Sequence, residues 1–164
     1  MSPAERTVIV SWEDPAEIAA QATAMPGLDF LRAIRDGEIP PAPIQRLLGF
    51  SLTEADEGRV VFSAEPEEQH YNPIGVVHGG FAATLLDSAL GASVHSTLPE
   101  GQGYTTLETK FNLVRPITAE TGTIAAEGRV VHRGRQVATA EASLRDGGGR
   151  LLAHATSTCL VLNG

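Results

Sequence analysis

The stretch Gly79–Val94, which reads GGFAATLLDSALGASV, decides the fold. It is small and apolar on every face except at Asp87, and a helix that is apolar all round is a buried helix. Its glycines and alanines would let a sheet approach the helix closely. Pro99 and Gly101 close the stretch. The sequence therefore predicts one central helix packed inside the molecule.

Strand-like runs lie on both sides of this helix. The first two form a predicted hairpin, Gly49–Thr53 and Arg59–Ala64, around the turn 56–58. Four more follow the helix, and they are Tyr104–Val114, Thr121–His132, Gln136–Asp146 and Arg150–Leu162. In the first of these, alternation predicts that Thr105, Leu107, Thr109, Phe111 and Leu113 face the helix. The pattern predicts an α+β fold in which a long antiparallel sheet wraps around one helix.

The chain before this pattern is predicted to be an N-terminal helical extension, residues 1–43, added to a domain at residues 44–164. Thr7–Trp12 has the composition of a short strand. Asp14-Pro15 is typical of a helix start, with the aspartate as N-cap and proline at the first helical position. Apolar periodicity then predicts one or two helices, broken at Pro26-Gly27. The extension is too short to build a core of its own.

Composition limits the function classes. The chain has 164 residues, 42% of them hydrophobic, and a net charge of −8, which argues against nucleic-acid binding. A single cysteine, Cys159, excludes an internal disulfide, and no Cys/His spacing indicates a zinc site. We expect no metal. Since neither a secretory signal nor a membrane-spanning run is recognisable, we expect a cytoplasmic protein that does not bind membranes.

The charge is uneven along the chain. Residues 101–164 carry seven Lys/Arg and five Asp/Glu, whereas the part before them is strongly acidic. An anionic ligand would have to find its partners in this second part. Arg115, Arg133 and Arg135 are the candidates, although solvated charges at strand edges would give the same pattern.

Three features around the helix carry chemistry. Asp87 lies among apolar residues, where a buried carboxylate needs either a functional cleft or a structural partner. Gly79-Gly80 begins the helix, so its free N–H groups lie at the positive end of the helix dipole without side chains to shield them. Asn72 and His78 come just before, and each can hydrogen-bond a carbonyl or a water.

Together these residues resemble the active-site signature of the PaaI-like (phenylacetic-acid-degradation) acyl-CoA thioesterases of the hotdog-fold superfamily. The similar sequence runs from Tyr71-Asn72-Pro73 through His78-Gly79-Gly80 to residues 85–89. It continues in residues 104–108 and 114–116. It covers roughly residues 47–162. The resemblance implies a hotdog fold, an acyl-CoA substrate with an aromatic or medium-chain acyl group, and no cofactor, because coenzyme A is part of the substrate. Candidate pocket residues for an apolar or aromatic acyl end are Phe81, Leu90, Val94 and Leu107.

The resemblance also implies a role for each residue. Asp87 would act as nucleophile or as general base, and the Gly79 N–H, helped by Gly80, would stabilise the oxyanion. His78 would help to fix the thioester carbonyl, and Asn72 the water or the thioester. Thr105 would supply a hydroxyl near the aspartate. Two subunits would share each site in a homodimer or homotetramer, and the arginines 115, 133 and 135 would bind coenzyme A.

Two alternatives remain open at this point. A non-catalytic acyl-CoA-binding or lipid-binding hotdog protein would share the fold, since fold alone does not determine function. A hotdog hydratase would need a different arrangement of Asp and His around the helix. A serine hydrolase is not indicated, because the chain has no Gly-x-Ser-x-Gly motif.

Overall fold

The computed structural model describes residues 6–163. Its core is a single antiparallel sheet of six strands with a buried helix lying across one face. The strands are β1 Phe50–Asp56, β2 Arg59–Ala64, β3 Gln102–Leu113, β4 Ile124–Arg133, β5 Val137–Asp146 and β6 Leu151–Asn163, and the helix is α4 Gly79–His95. The predicted fold class, α+β with one long sheet wrapped around one central helix, is confirmed.

The strand order in the sheet is β1-β2-β4-β5-β6-β3, with every neighbouring pair antiparallel. β3 therefore forms one edge of the sheet, bonded only to β6. β1 forms the other edge. The order matters for the site, because the edge strand β3 lies directly against α4.

Helix α4 packs closely on the sheet because small residues line the contact. A Cβ placed on Gly128 of β4 would lie 2.2 Å from the Ala89 carbonyl oxygen. A Cβ on Gly91 would lie 2.6 Å from the Tyr104 hydroxyl. Leu85, Leu86 and other α4 side chains are fully buried. Burial removes apolar area from water, at about 25 cal/mol per Å², so this contact stabilises the fold.

The N-terminal part contains three helices, α1 Pro15–Ala22, α2 Gly27–Arg35 and α3 Pro43–Leu48. Asp14 caps α1 as predicted, since its carboxylate accepts the Ala16 N–H at 2.8 Å. The break at Pro26-Gly27 is also present. The predicted strand at Thr7–Trp12 is wrong: this segment is not in any sheet, and Ile9 is 93% exposed.

The extension joins the core of the domain. Ile18, Phe30 and Leu31 belong to the same buried cluster as the side chains of α4. The buried His95, at the end of α4, also hydrogen-bonds the Ala22 carbonyl through Nε2 at 3.1 Å. The boundary between residues 43 and 44 stays a prediction. No helix among residues 6–163 has both the length and the apolar character needed to cross a membrane.

Candidate active site

The start of α4 is held by a closed loop. The His78 N–H donates to the His70 carbonyl at 2.8 Å, and Tyr71 forms an isolated bridge with Val77. His78 is the N-cap of α4, and its Nδ1 accepts the Gly80 N–H at 2.8 Å. The imidazole orientation is therefore tied to the helix, with Nε2 left for another partner.

Gly79 and Gly80 differ in what their N–H groups do. Because the Gly80 N–H is bonded to His78, the predicted help from Gly80 in the oxyanion site has no free donor here. The Gly79 N–H has no acceptor among residues 6–163. A Cβ on Gly79 would lie 2.5 Å from Leu113 Cδ1, the end of an exposed side chain that would have to move aside. One unclaimed N–H thus remains at the positive end of α4.

A cavity of about 270 Å³ opens beside this N–H. Asn72, His78, Gly79 and Arg115 all line it, so the structure brings four of the predicted site residues together. The remaining lining is apolar, from Val76, Val77, Ala82, Leu113, Val114, Pro116 and Ile117. A concave, mainly apolar cavity with a few convergent polar groups is typical of a ligand site.

Asn72 has a structural task within this site. Its Oδ1 accepts the N–H groups of Ile74 at 3.0 Å and Val76 at 3.3 Å, which closes the loop before α4. The amide nitrogen has no acceptor within the described chain. Asn72 therefore presents a fixed N–H donor group to the cavity.

Asp87 lies two turns further along α4 and is exposed in the single chain. Its Oδ1 accepts a hydrogen bond from the Thr109 hydroxyl at 3.0 Å. The expectation that the carboxylate is buried among apolar side chains is therefore wrong for one subunit. The helix turns Asp87 toward the open edge strand β3, where only Thr109 covers one of its oxygens.

The threonine beside Asp87 is Thr109 and not Thr105. A register shift in β3, between Thr106 and Glu108, adds one residue to the strand and reverses the alternation before it. Thr106 pairs with the buried Cys159 and Thr109 with the buried Ser157, whereas Thr105 pairs with Leu160 and is exposed. The predicted placement of Thr105 on the helix-facing side is thus corrected.

The sequence interpretation missed Thr106 and Thr109 as hydroxyls near the site. A bulge is not visible in a strand whose residues alternate without interruption. In the sequence, only the presence of three threonines, at 105, 106 and 109, indicates that a residue other than Thr105 could supply the hydroxyl.

The candidate residues divide into two groups that do not meet in one chain. Eight residues of helix separate Gly79 from Asp87, which is about 12 Å at the rise of an α-helix. Helix α4 runs antiparallel to β3, as three contacts show: Gly79 with Leu113, Asp87 with Thr109, and Gly91 with Tyr104. A carbonyl bound at Gly79 is therefore out of reach of Asp87 in the same chain.

The three candidate arginines also occupy different places. Arg115 lines the cavity, and its Nη1 donates to the Leu151 carbonyl at 2.5 Å. Arg133 donates to the Gln102 side chain at 2.9 Å, at the opposite end of β3, and also to the Gly134 carbonyl. Arg135 follows it, exposed. Arg115 thus sits with the Gly79 group, while Arg133 and Arg135 form a separate cationic corner.

Burial lowers the pKa of two imidazoles, one in the loop before α4 and one at the far end of this helix. Desolvation lowers the pKa of His70, whose ring stacks on Phe81 with centroids 4.1 Å apart. Desolvation also lowers the pKa of His95. Burial raises the pKa of the Tyr104 hydroxyl, and the nearby Cys159 and Asp87 charges add to this. Within residues 6–163, no three His, Cys, Asp or Glu side chains cluster as metal ligands.

The predicted acyl-pocket residues are mostly core residues. Leu90 and Val94 are 0% exposed, and Phe81 is packed under His70. These three side chains anchor α4 in the hydrophobic core and do not line the cavity beside Gly79. Leu107 is the exception, since it is exposed at the β3 bulge.

Comparison with known proteins shows similarity to thioesterases. A sequence model described as the thioesterase superfamily matches residues 74–153. A relative from Halobacterium salinarum is 34% identical over 102 residues, 59% of this chain and 66% of that protein. Human acyl-coenzyme A thioesterase 13 is 44% identical over 45 residues, 27% of this chain and 32% of the human protein. The chain therefore spans less than two thirds of each of these two relatives.

Solved structures share the fold. The structure of a phenylacetic acid degradation-related protein from Ralstonia eutropha superposes with a TM-score of 0.72 at 29% identity. The match covers 79% of this chain and 98% of that one. The predicted similarity to phenylacetic-acid-degradation proteins of hotdog fold is confirmed.

Proposed function

We propose that this chain is a thioester hydrolase of the thioesterase superfamily that it matches, and that it hydrolyses an acyl-CoA to the free acid and coenzyme A. The acyl group is aromatic or of medium length. The observation that carries this proposal is the unclaimed N–H of Gly79, which faces a cavity at the positive end of α4. That donor is suited to a carbonyl oxygen on which negative charge develops.

In the proposed reaction, the thioester carbonyl accepts the Gly79 N–H. His78 Nε2 fixes the same carbonyl, because Nδ1 is already bonded to the Gly80 N–H. Removing one oxyanion donor typically slows an enzyme by about 100- to 1,000-fold, so this single N–H is expected to matter. The dipole of α4 adds to the stabilisation without any movement of the protein.

Asp87 supplies the attack in one of two ways. As nucleophile, Oδ2 bonds to the carbonyl carbon, the C–S bond breaks, and coenzyme A leaves as a thiol after taking a proton. Water then cleaves the resulting anhydride. As general base, Asp87 takes a proton from water while that water attacks the carbonyl carbon directly; the C–S bond then breaks, and the proton passes from Asp87 to the leaving thiolate. In both routes Thr109 holds Oδ1 and leaves Oδ2 free, and the Asn72 amide positions the water.

Each site needs two copies of the chain, because Asp87 does not reach the carbonyl at its own Gly79. β3 offers the means, since its outer edge has no neighbouring strand within the described chain and carries exposed apolar residues. These are Leu107, Phe111, Leu113 and Val114. Such an edge is a template for pairing with another strand.

The contacts between α4 and β3 specify the register of this pairing. Asp87 lies at Thr109, and Gly79 lies at Leu113. To bring Asp87 of one copy to Gly79 of the other, Thr109 must pair with Leu113 across the interface. An antiparallel pair with that register has its two-fold axis at Phe111. Homodimers built this way would form the unit of a homotetramer.

Coenzyme A phosphates would bind at the cationic corner of Arg133 and Arg135. Arg133 bonds Gln102, which lies seven residues along β3 from Thr109, or about 23 Å. That separation suits phosphates at the far end of the extended pantetheine arm. A cofactor is not needed, since water, a carboxylate and one N–H donor complete the chemistry. A cytoplasmic location stays a prediction of the sequence.

The test is thioester hydrolysis on a panel of phenylacetyl-, benzoyl-, short-, medium- and long-chain acyl-CoA, with wild type beside Asp87→Asn. Wild-type turnover is expected, and the variant is expected to lose about 100-fold or more in kcat, the range of a general base, while binding is kept. Asp87 is exposed, so folding is preserved. Acyl-CoA binding without turnover by the wild type would instead support the non-catalytic alternative.

A further inference from the structure

Resting on the proposed function, we propose that the cavity beside Gly79 is the acyl pocket and that Arg115 selects acyl groups that end in a carboxylate. Arg115 would then be a specificity residue for the acyl group and not a phosphate ligand. Four properties of the cavity support this: its size, its walls, the free charge of Arg115, and the place of Arg115 relative to the thioester.

The size and the walls fit an acyl group. Pockets that enclose whole drug-sized ligands measure roughly 300–1,000 Å³. This cavity has about 270 Å³, so it has room for one part of an acyl-CoA. Its apolar lining, which includes Val76, Leu113 and Ile117, suits the hydrocarbon part of the acyl group. The Gly79 N–H at one side fixes where the carbonyl begins.

Arg115 brings a positive charge that the protein itself leaves uncompensated. No carboxylate lies within 4.0 Å of its guanidinium within residues 6–163, although seven other arginines have such a partner. Arg133, Arg135 and Arg145 share this lack, but among these four only Arg115 lines the cavity beside Gly79. One Nη1 bond goes to the Leu151 carbonyl, which orients the group and leaves other N–H donors free.

The free donors match a carboxylate. A guanidinium presents N–H groups in a planar fork that binds a carboxylate through two parallel hydrogen bonds. The positive end of α4 lies beside the same cavity and also favours negative charge.

The position of Arg115 disfavours a phosphate role. Arg115 and Gly79 line one small cavity, so Arg115 and the proposed carbonyl site share one pocket. The pyrophosphate of coenzyme A lies a full pantetheine arm away from that carbonyl. A cation that binds the distal end of the acyl group fits this placement.

The experiment compares substrates of equal shape that differ in one terminal charge. One pair is para-carboxybenzoyl-CoA with para-methylbenzoyl-CoA, and the other is adipoyl-CoA with heptanoyl-CoA. For the wild type, kcat/KM is expected to be about tenfold or more higher for the carboxylate member of each pair, the size of a charge-assisted hydrogen bond. This measurement needs no variant and therefore does not depend on how a variant folds.

Variants then assign the preference to Arg115. Arg115→Met is expected to abolish the preference, so that kcat/KM for the carboxylate member of each pair falls to that of its neutral partner. Arg115→Lys, which keeps the charge but not the fork, should retain part of it. Arg145→Met is the matched control, since Arg145 is exposed and also donates to a backbone carbonyl, that of Gly149 at 3.0 Å. It should keep the full preference.

Each outcome has a distinct meaning. Equal rates for the two members of each pair in the wild type would overturn the acyl-end assignment. So would an equal loss on both members in Arg115→Met, which is the result expected if Arg115 binds coenzyme A. If the wild type turned over no thioester of either pair or of the wider panel, the proposed function itself would fail.

Discussion

Gly79 and Asp87 lie on the same helix, yet about 12 Å of helix separates the oxyanion donor from the carboxylate. Both face the edge strand β3, at Leu113 and at Thr109. The single chain therefore carries two half-sites, and pairing of β3 with its copy would join one half of each. Variants of each half-site, and a heterodimer that combines two of them, test this arrangement.

Thr109→Val removes the hydroxyl that holds Asp87 Oδ1 and keeps the shape of the side chain. We expect kcat to fall by about tenfold, the value of a hydrogen bond to a charged group, with little change in KM. Thr109→Ser should restore most of the rate. Thr139→Val, at another half-buried position in the sheet, is the control. A Thr109→Val enzyme as active as wild type would show that the bond has no role in positioning Asp87.

Gly79→Ala is expected to lower kcat strongly, because the new methyl group narrows the cavity beside the N–H, as does the Leu113 side chain that it pushes aside (Cδ1 lies 2.5 Å from the new Cβ). An oxyanion donor contributes about 100- to 1,000-fold, which sets the scale of the loss. Adding Leu113→Ala relieves the contact and should recover part of the rate. Gly103→Ala is the control, since its Cβ would meet only Thr23 Cγ2, at 3.8 Å. Wild-type rates in Gly79→Ala would mean that this backbone is not part of the site.

Acidification is expected to destabilise the protein through His70 and His95. Burial lowers the pKa of both imidazoles below the ordinary value of 6.5, so the unfolded chain binds protons more readily than the folded one. The free energy of unfolding is then constant above that value and falls as the pH drops through it toward the folded pKa. Lowered pKa values at Asp36, Glu127 and Asp146 affect a more acidic range.

Thermal denaturation at about pH 7.5 and about pH 5.5 measures this effect, and we expect the lower Tm at the lower pH. His95→Gln keeps a donor for the Ala22 carbonyl and removes one titrating group, so the difference in Tm should shrink. An equal or higher wild-type Tm at the lower pH would contradict the burial of neutral imidazoles.

Phe111→Cys tests the register of the proposed dimer. If the two-fold axis lies at Phe111, the two copies of this residue face each other at about 4.5–5.5 Å between Cα atoms, within the range of a disulfide. We expect mild oxidation to give a reducible covalent dimer. Val131 is more exposed than Phe111 but lies away from the edge strand, and Cys159 is buried, so neither Val131→Cys nor Cys159 should cross-link. A cross-link at Leu107→Cys in place of Phe111→Cys would indicate a different register.

Much of the fold was predictable because its periodicities are regular. The apolar run at 79–94 and the four alternating runs after it agree with the structure to within a few residues. Asp14-Pro15 and Pro26-Gly27 place the helix ends of the extension because capping and chain breaking are local effects. Thr7–Trp12 shows the limit: strand propensity alone does not provide a neighbouring strand to pair with.

The site was predictable in its parts but not in its details. His78, Gly79 and Asn72 meet because they are close in sequence on one loop. The bulge in β3 is a tertiary feature, and it moved the hydroxyl beside Asp87 from Thr105 to Thr109. The exposure of Asp87 was missed because a helical wheel gives neighbours on the helix, while the sheet edge decides which side stays open. The use of the Gly80 N–H by His78 was also not visible in the sequence.

The most direct measurement is the hydrolysis rate of a purified heterodimer that combines one Asp87→Asn chain with one Gly79→Ala chain, each with its own affinity tag. If Asp87 acts on a thioester bound at Gly79 of the other copy, one of the two sites in this heterodimer is intact. For a shared site we expect about half of the wild-type rate, although each variant alone is nearly inactive. A heterodimer no more active than its parents would contradict the shared site.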